Sequence, residues 1–384
     1  MVNLTIGIGC VFRHVQSTTL RPSCRICRSA HRRFIKDIQV KRARIGLLGA
    51  GFVADVYMQS FRHVRDCDVA ACFSQREERA REFAQMWKIP VHTVSIEELI
   101  AQPDVDIIVV AVPHHLHASV VPKIAAAGKA VICTKPLGRN AAEARRCLDA
   151  VEAAGVWHGY AESQVFDPTT VRAKELADSG ALGKVYWVRF REAHAQIHSF
   201  ARDPETNGGG PMRGLGCHGV AAARWFFTAR EPVEVFMWGD RLARDDVQVE
   251  DSAVTLIRFD DGSLGQVEVG WGHKAGLDVR AEIHGTDGYV STDVTGETGM
   301  RAFTTRSAGY VIEKAGIDVG WTAPAPHEYI TYGFHNAMDH LIHAYLEGRR
   351  PWQDFRDGLI DNAIIDAAYR SMESGVWQKI VIPK

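Results

Sequence analysis

The chain has 384 residues, 46% hydrophobic and 24% charged, with 45 basic against 46 acidic side chains and a net charge of -1. That balance describes an ordinary globular protein of about two domains, with no basic excess to favour nucleic acid or an anionic membrane as a partner. The longest apolar run, residues 105–113, is far too short to span a bilayer and reads as a buried strand.

Residues 1–40 differ in composition from the rest of the chain. Arg13, Arg21, Arg25, Arg28, Arg32, Arg33 and Lys36 stand against one acid, Asp37, and no hydrophobic period runs through them. The segment is expected to be a disordered basic extension, or an over-extended translation start with Val40 as the native initiator. A transit peptide shares the composition. Cys24-x-x-Cys27 has the spacing of a redox or metal pair, but no second Cys/His pair completes a zinc site. Cys67, Cys72, Cys133, Cys147 and Cys217 lack the spacing of a disulfide framework, as expected of thiols in a reducing cytoplasm.

From residue 44, apolar strands at 44–48, 69–73, 105–112, 130–133 and 157–160 alternate with helical patterns at 76–86, 118–127 and 141–154. That rhythm predicts an α/β fold with a doubly wound parallel sheet over 41–165. Beyond residue 166 the strands lengthen and alternate: 185–192, 233–238, 252–259, 264–271, 279–284 and 289–293, with Asp261-Gly262 as a hairpin signal and helices at 333–346 and 355–372. They predict a second, α+β domain over 166–384 with a largely antiparallel open sheet.

The first strand runs into Gly49-Ala50-Gly51-Phe52-Val53-Ala54. Gly49 permits a tight turn, Gly51 lets backbone approach a pyrophosphate, and Ala54 is small enough for the next helix to pack, which is the Rossmann dinucleotide turn. At the end of the second strand, where an acid would grip the adenosine ribose, the chain reads Phe73-Ser74-Gln75-Arg76. Ser74 suits a ribose hydroxyl or a 2′-phosphate; Arg76 suits that phosphate or simply solvent. NAD(H) and NADP(H) both stay open, and a flavin fits less well.

Lys135 follows the strand 130–133 and precedes Pro136, at the edge where open α/β sheets bind ligands, so it is placed to relay a proton. Gly208-Gly209-Gly210 leads through Arg213 and Gly214 to His218 at the start of a helix. The glycines admit a ligand, and a histidine there suits proton exchange. His194, Gln196 and His198 share one side if their strand continues, and are read as sugar-hydroxyl contacts. No third ligand accompanies them, so no metal is expected.

In this order, G-A-G-F-V-A, Val112-Pro113-His114-His115-Leu116-His117, Ala127-Gly128-Lys129, Thr134-Lys135-Pro136-Leu137, Ser179-Gly180-Ala181-Leu182-Gly183 and the triple glycine with Gly216-Cys217-His218 resemble the glucose-fructose oxidoreductase and inositol dehydrogenase (Gfo/Idh/MocA) family over residues 42–384. The resemblance implies Lys135 and His218 as catalytic residues, with Pro113 and His117 near the nicotinamide. It also implies a second domain whose open sheet forms the interface of a dimer or tetramer.

Two departures stand out. Thr134 replaces the usual Glu, and Gly214 replaces the Asp four residues before the histidine. Glu162, after the strand 157–160, is the candidate substitute carboxylate. Arg213 offers a planar fork for a carboxylated or sulfonated sugar, of sulfoquinovose type. The expected function is NAD(P)-dependent oxidation of a ring hydroxyl, at C3, of a sugar or glycoside. The alternative is a redox-neutral glycosidase using transient C3 oxidation, elimination, water addition and re-reduction. A cofactor-binding regulator is the third class, disfavoured by the presence of both Lys135 and His218.

Overall fold

The computed structural model describes residues 42–296, 299–307, 314, 319–325 and 327–384, so the basic extension lies outside the described residues. The first sheet is parallel and six-stranded: β1 (Ala43–Leu48), β2 (Cys67–Phe73), β3 (Val91–Thr93), β4 (Ile107–Val110), β5 (Ala130–Thr134) and β6 (His158–Ala161), in the order β3-β2-β1-β4-β5-β6. β4 and β5 are buried at every residue because helices cover both faces, which is why they read as unbroken apolar runs. β3 escaped prediction because three residues carry no period. The strand order turns between β1 and β4, which puts a ligand crevice at their carboxyl ends.

The second sheet contains β7 (Val185–His194), β8 (Pro232–Asp240), β9 (Ser252–Phe259), β10 (Leu264–Gly270), β11 (Leu277–Gly285) and β12 (Tyr289–Asp293). A two-stranded ribbon, β13 (Ala302–Thr304) with β14 (Gly320–Thr322), stands apart, and β15 (Gln378–Lys379) closes the larger sheet. Its order is β12-β11-β7-β10-β9-β8-β15; every pairing is antiparallel except β7 with β10. Gly262 takes a φ of 84° in the β9–β10 turn, a left-handed conformation that glycine adopts without strain. Helix Gly216–Phe226 lies on β7 and β10. It packs closely because a Cβ on Gly219 would sit 2.6 Å from Val267.

The chain then returns to the first sheet. Ala337, Met338, Leu341 and Ile342 of helix Phe334–Glu347 share a buried cluster with Ile45 and Leu47, while Phe355, Leu359 and Ala363 of helix Phe355–Ser374 join Val110 and Val131. Each large side chain so buried contributes about 1.5–3 kcal/mol. A linear boundary at 165/166 therefore misses these helices: Phe334–Glu347 packs on the first sheet, and Phe355–Ser374 contacts strands of both sheets. Cys67, Cys72, Cys133, Cys147 and Cys217 are buried free thiols. Among the described residues, no helix is long and apolar enough to cross a membrane.

Candidate active site

The turn after β1 is built for close approach. Gly49 has a φ of 133°, and a Cβ there would meet the Ala111 carbonyl oxygen at 2.3 Å, so only glycine fits. A Cβ on Gly51 would meet nothing within 4 Å, and Gly51 caps helix Phe52–Phe61 without a side-chain hydrogen bond. The first N–H groups of that helix are thus left for an anion, a cradle that fits a pyrophosphate. Ala54, within that helix, is fully buried. Ser74 Oγ accepts from the Arg76 backbone N–H at 3.4 Å, and Arg76 is exposed. Arg79, unremarked in the sequence, reaches back to the Ala50 carbonyl at 2.8 Å and to Asp55 at 3.2 Å.

A cavity of about 360 Å³ opens beside this turn, lined from the first sheet by Gly51, Phe52, Val53, Pro113 and Lys135, and from the second by Glu192, His194, Gly214 and His218. β5 ends in a cis Lys135–Pro136 bond, and Lys135 Nζ donates to the Gly214 carbonyl at 2.8 Å. His117 is withdrawn from the cavity. Its ring nitrogens lie 3.0 Å from the Pro136 and Val112 carbonyls, tying the lysine turn to the loop after β4, and burial lowers its pKa. It does not line the cavity.

His218 lies in the first turn of helix Gly216–Phe226, with Nδ1 2.5 Å from Glu162 Oε1. Glu162 is fully buried, and the same oxygen accepts the Gln164 N–H at 2.8 Å. Histidine and carboxylate lie 56 residues apart in the chain, and the fold makes them a pair.

Sequence reasoning missed a second acid. Glu192 on β7 places Oε2 4.0 Å from His218 Nε2, while its Oε1 accepts from His194 Nε2 at 3.0 Å. Burial alone would raise the Glu192 pKa, but the charges of His218, His194 and Lys135 overcome it and hold it at about 2. The signal was parity: Val188, Phe190, Glu192 and His194 alternate on the buried side of β7.

His194 lines the cavity, its pKa lowered by burial. β7 ends there, so His198 arrives from a loop rather than a continued strand, its pKa pushed down to about 3 by burial and by Lys314 and Lys135. Gln196 does not line the cavity with them.

Arg213 is a correction. It is 2% exposed and outside the cavity lining, with Nη1 3.0 Å from Asn362 Oδ1, Nη2 bonded to Asp366, and its guanidinium over the Tyr369 ring at 5.6 Å. Asp366 also accepts the Ala141 N–H at 2.8 Å. Arg213 thus clamps the glycine-rich loop to the helices behind Lys135 and offers nothing to an anionic substrate. Among the described residues, no three His, Cys, Asp or Glu side chains group as metal ligands.

Residues 43–161 match the model of an oxidoreductase family with an NAD-binding Rossmann fold, and residues 170–291 match the GFO/IDH/MocA C-terminal domain. The chain belongs to the Gfo/Idh/MocA family. It is 27% identical over 343 residues to inositol 2-dehydrogenase of Rhizobium meliloti (strain 1021), covering 86% of this chain and 96% of that one. It is 25% identical to levoglucosan dehydrogenase of Pseudarthrobacter phenanthrenivorans, covering 86% and 97%. The crystal structure of GenD2 from gentamicin A biosynthesis, in complex with NAD, superposes with a TM-score of 0.83 at 29% identity, covering 89% of this chain and 97% of that one.

Within the Gfo/Idh/MocA fold, this chain's departures now have a setting. Gly214 keeps only its carbonyl in play, as the acceptor for Lys135. The carboxylates beside the histidine are Glu162 and Glu192, reaching it from opposite sheets.

Proposed function

We propose that this protein is an NAD-dependent dehydrogenase that oxidises a secondary ring hydroxyl of a sugar or related polyol, with Lys135 and His218 as its proton-handling residues. The observation that carries the reading is that Lys135 and His218 line one cavity at the carboxyl edge of a parallel sheet, with His218 backed by the fully buried Glu162, which itself lies outside the cavity lining. Bound at the glycine turn, NAD supplies the hydride acceptor. Gly51, Phe52 and Val53 would hold its pyrophosphate, and Pro113 its nicotinamide end.

The chain's own part is proton handling. Glu162 accepts the Nδ1–H of His218, which leaves Nε2 with a lone pair facing the cavity, the orientation a base needs. Lys135 spends one N–H on the Gly214 carbonyl, which aims the ammonium. Its remaining donors steady the oxygen as the proton leaves. Without Arg213 in the cavity, the anionic-sugar expectation loses the cation it rested on, and a neutral ring polyol is the substrate we infer. The relatives that act on inositol and levoglucosan support that class.

The test is a panel of neutral sugars, inositols and aryl glycosides with NAD, following reduced nicotinamide and aglycone release together. Stoichiometric NADH without aglycone supports the dehydrogenase. Aglycone release with no net reduction would replace it with the redox-neutral glycosidase.

A further inference from the structure

Glu192 is buried, lines the cavity, and leaves Oε2 without a hydrogen-bond partner among the described residues. Such an oxygen is costly unless something donates to it. His194 occupies only Oε1. At 4.0 Å from His218 Nε2, Oε2 is too far to bond the ring directly.

In the neutral tautomer that donates Nδ1–H to Glu162, His218 Nε2 is an acceptor, as Glu192 Oε2 is. One hydroxyl has one proton and cannot satisfy both. Two hydroxyls can. Staggered neighbouring hydroxyls on a ring have oxygens about 2.8 Å apart, and each can then lie about 2.8 Å from one of these two acceptors.

Resting on the dehydrogenase reading, we propose that Glu192 is a substrate-binding carboxylate selecting a vicinal diol: the reacting hydroxyl donates to His218 Nε2 and the hydroxyl on the adjacent carbon donates to Glu192 Oε2. In the reaction, the carbinol C–H pair leaves as hydride to the oxidised nicotinamide and the C–O bond becomes a carbonyl. The O–H proton passes to His218 Nε2. The neighbouring hydroxyl keeps its proton and fixes which carbon reacts. A substrate deoxygenated or alkylated at that neighbour loses the contact.

The test measures binding of cis- and trans-1,2-cyclohexanediol and of cyclohexanol to the enzyme–NADH complex by calorimetry, for wild type and Glu192→Gln. Gln is isosteric, and its oxygen stays with His194, so the amide NH2 replaces the free acceptor. Wild type should prefer one diol over the mono-alcohol by on the order of 10- to 100-fold. In Glu192→Gln that preference should fall within about threefold, with cyclohexanol and NADH affinities little changed. A wild type without diol preference overturns the proposal, whatever the variant does, and so does a variant that keeps the preference. A wild type that prefers the diol but never reduces NAD with it sinks the dehydrogenase reading and leaves Glu192 standing.

Discussion

Replacing Glu162 by Gln isolates what one buried charge does for His218. The shape is preserved, and the Gln164 N–H, 2.8 Å from Oε1, keeps an oxygen rather than an NH2 facing the imidazole. The histidine tautomer should therefore survive. Exchanging a charged for a neutral hydrogen bond costs about 1–2 kcal/mol. Losing the carboxylate's attraction for an imidazolium forming in the transition state costs at most about 4 kcal/mol at an effective dielectric of about 20. kcat/KM should thus fall between roughly 10-fold and 10³-fold, with NADH affinity unchanged and the melting temperature within a few degrees of wild type. Steady-state NAD reduction over a pH series, with thermal melts on the same samples, measures both. A kcat/KM within about threefold of wild type at every pH, or a loss that merely tracks a loss of fold, would rule out this role for Glu162.

Gly49→Ala forces a side chain into φ 133° and against the Ala111 carbonyl, so NAD affinity should drop at least about tenfold in equilibrium fluorescence titration, with a lowered melting temperature. Arg213→Ala should destabilise by about 3 kcal/mol in urea melts, since it strips Asp366 and Asn362 of their partner, while leaving the relative kcat/KM of neutral and carboxylated sugars unchanged. A changed ratio would return Arg213 to the substrate. Glu250, buried beside the glycine loop, has its pKa pushed up to about 7 by burial, against hydrogen bonds from Tyr369 and Met212. Because a carboxyl's folded value lies above its unfolded one, its stabilisation is complete below about pH 4 and is lost as pH rises through 7. Glu250→Gln should therefore be near neutral at pH 4 and stabilising by up to about 3 kcal/mol at pH 8, read from urea midpoints at both. An equal effect at the two pH values would contradict this.

The local signals were fully legible. The strand–glycine–helix turn at 44–54, the buried runs of β4 and β5, and the Asp261-Gly262 hairpin are each specified within a few residues by period, turn chemistry and steric need. Lys135 and His218 were legible for a related reason, since each lies beside a proline or glycine punctuation mark at a ligand-facing edge. Glu192 was half legible: its parity on β7 showed, but an acid on a buried face has no meaning until something is known to face it.

What the sequence by itself determined was therefore the set of elements and the residues at their ends, because backbone preference and hydrophobic periodicity act over one or two turns of chain. Only the tertiary structure decided the pairings. It brought Glu162 to His218, turned Arg213 into the clamp on Asp366, withdrew His117 behind the lysine turn and laid the C-terminal helices on the first sheet. Those outcomes depend on which buried polar groups can satisfy one another once two sheets are packed, a condition no local pattern carries.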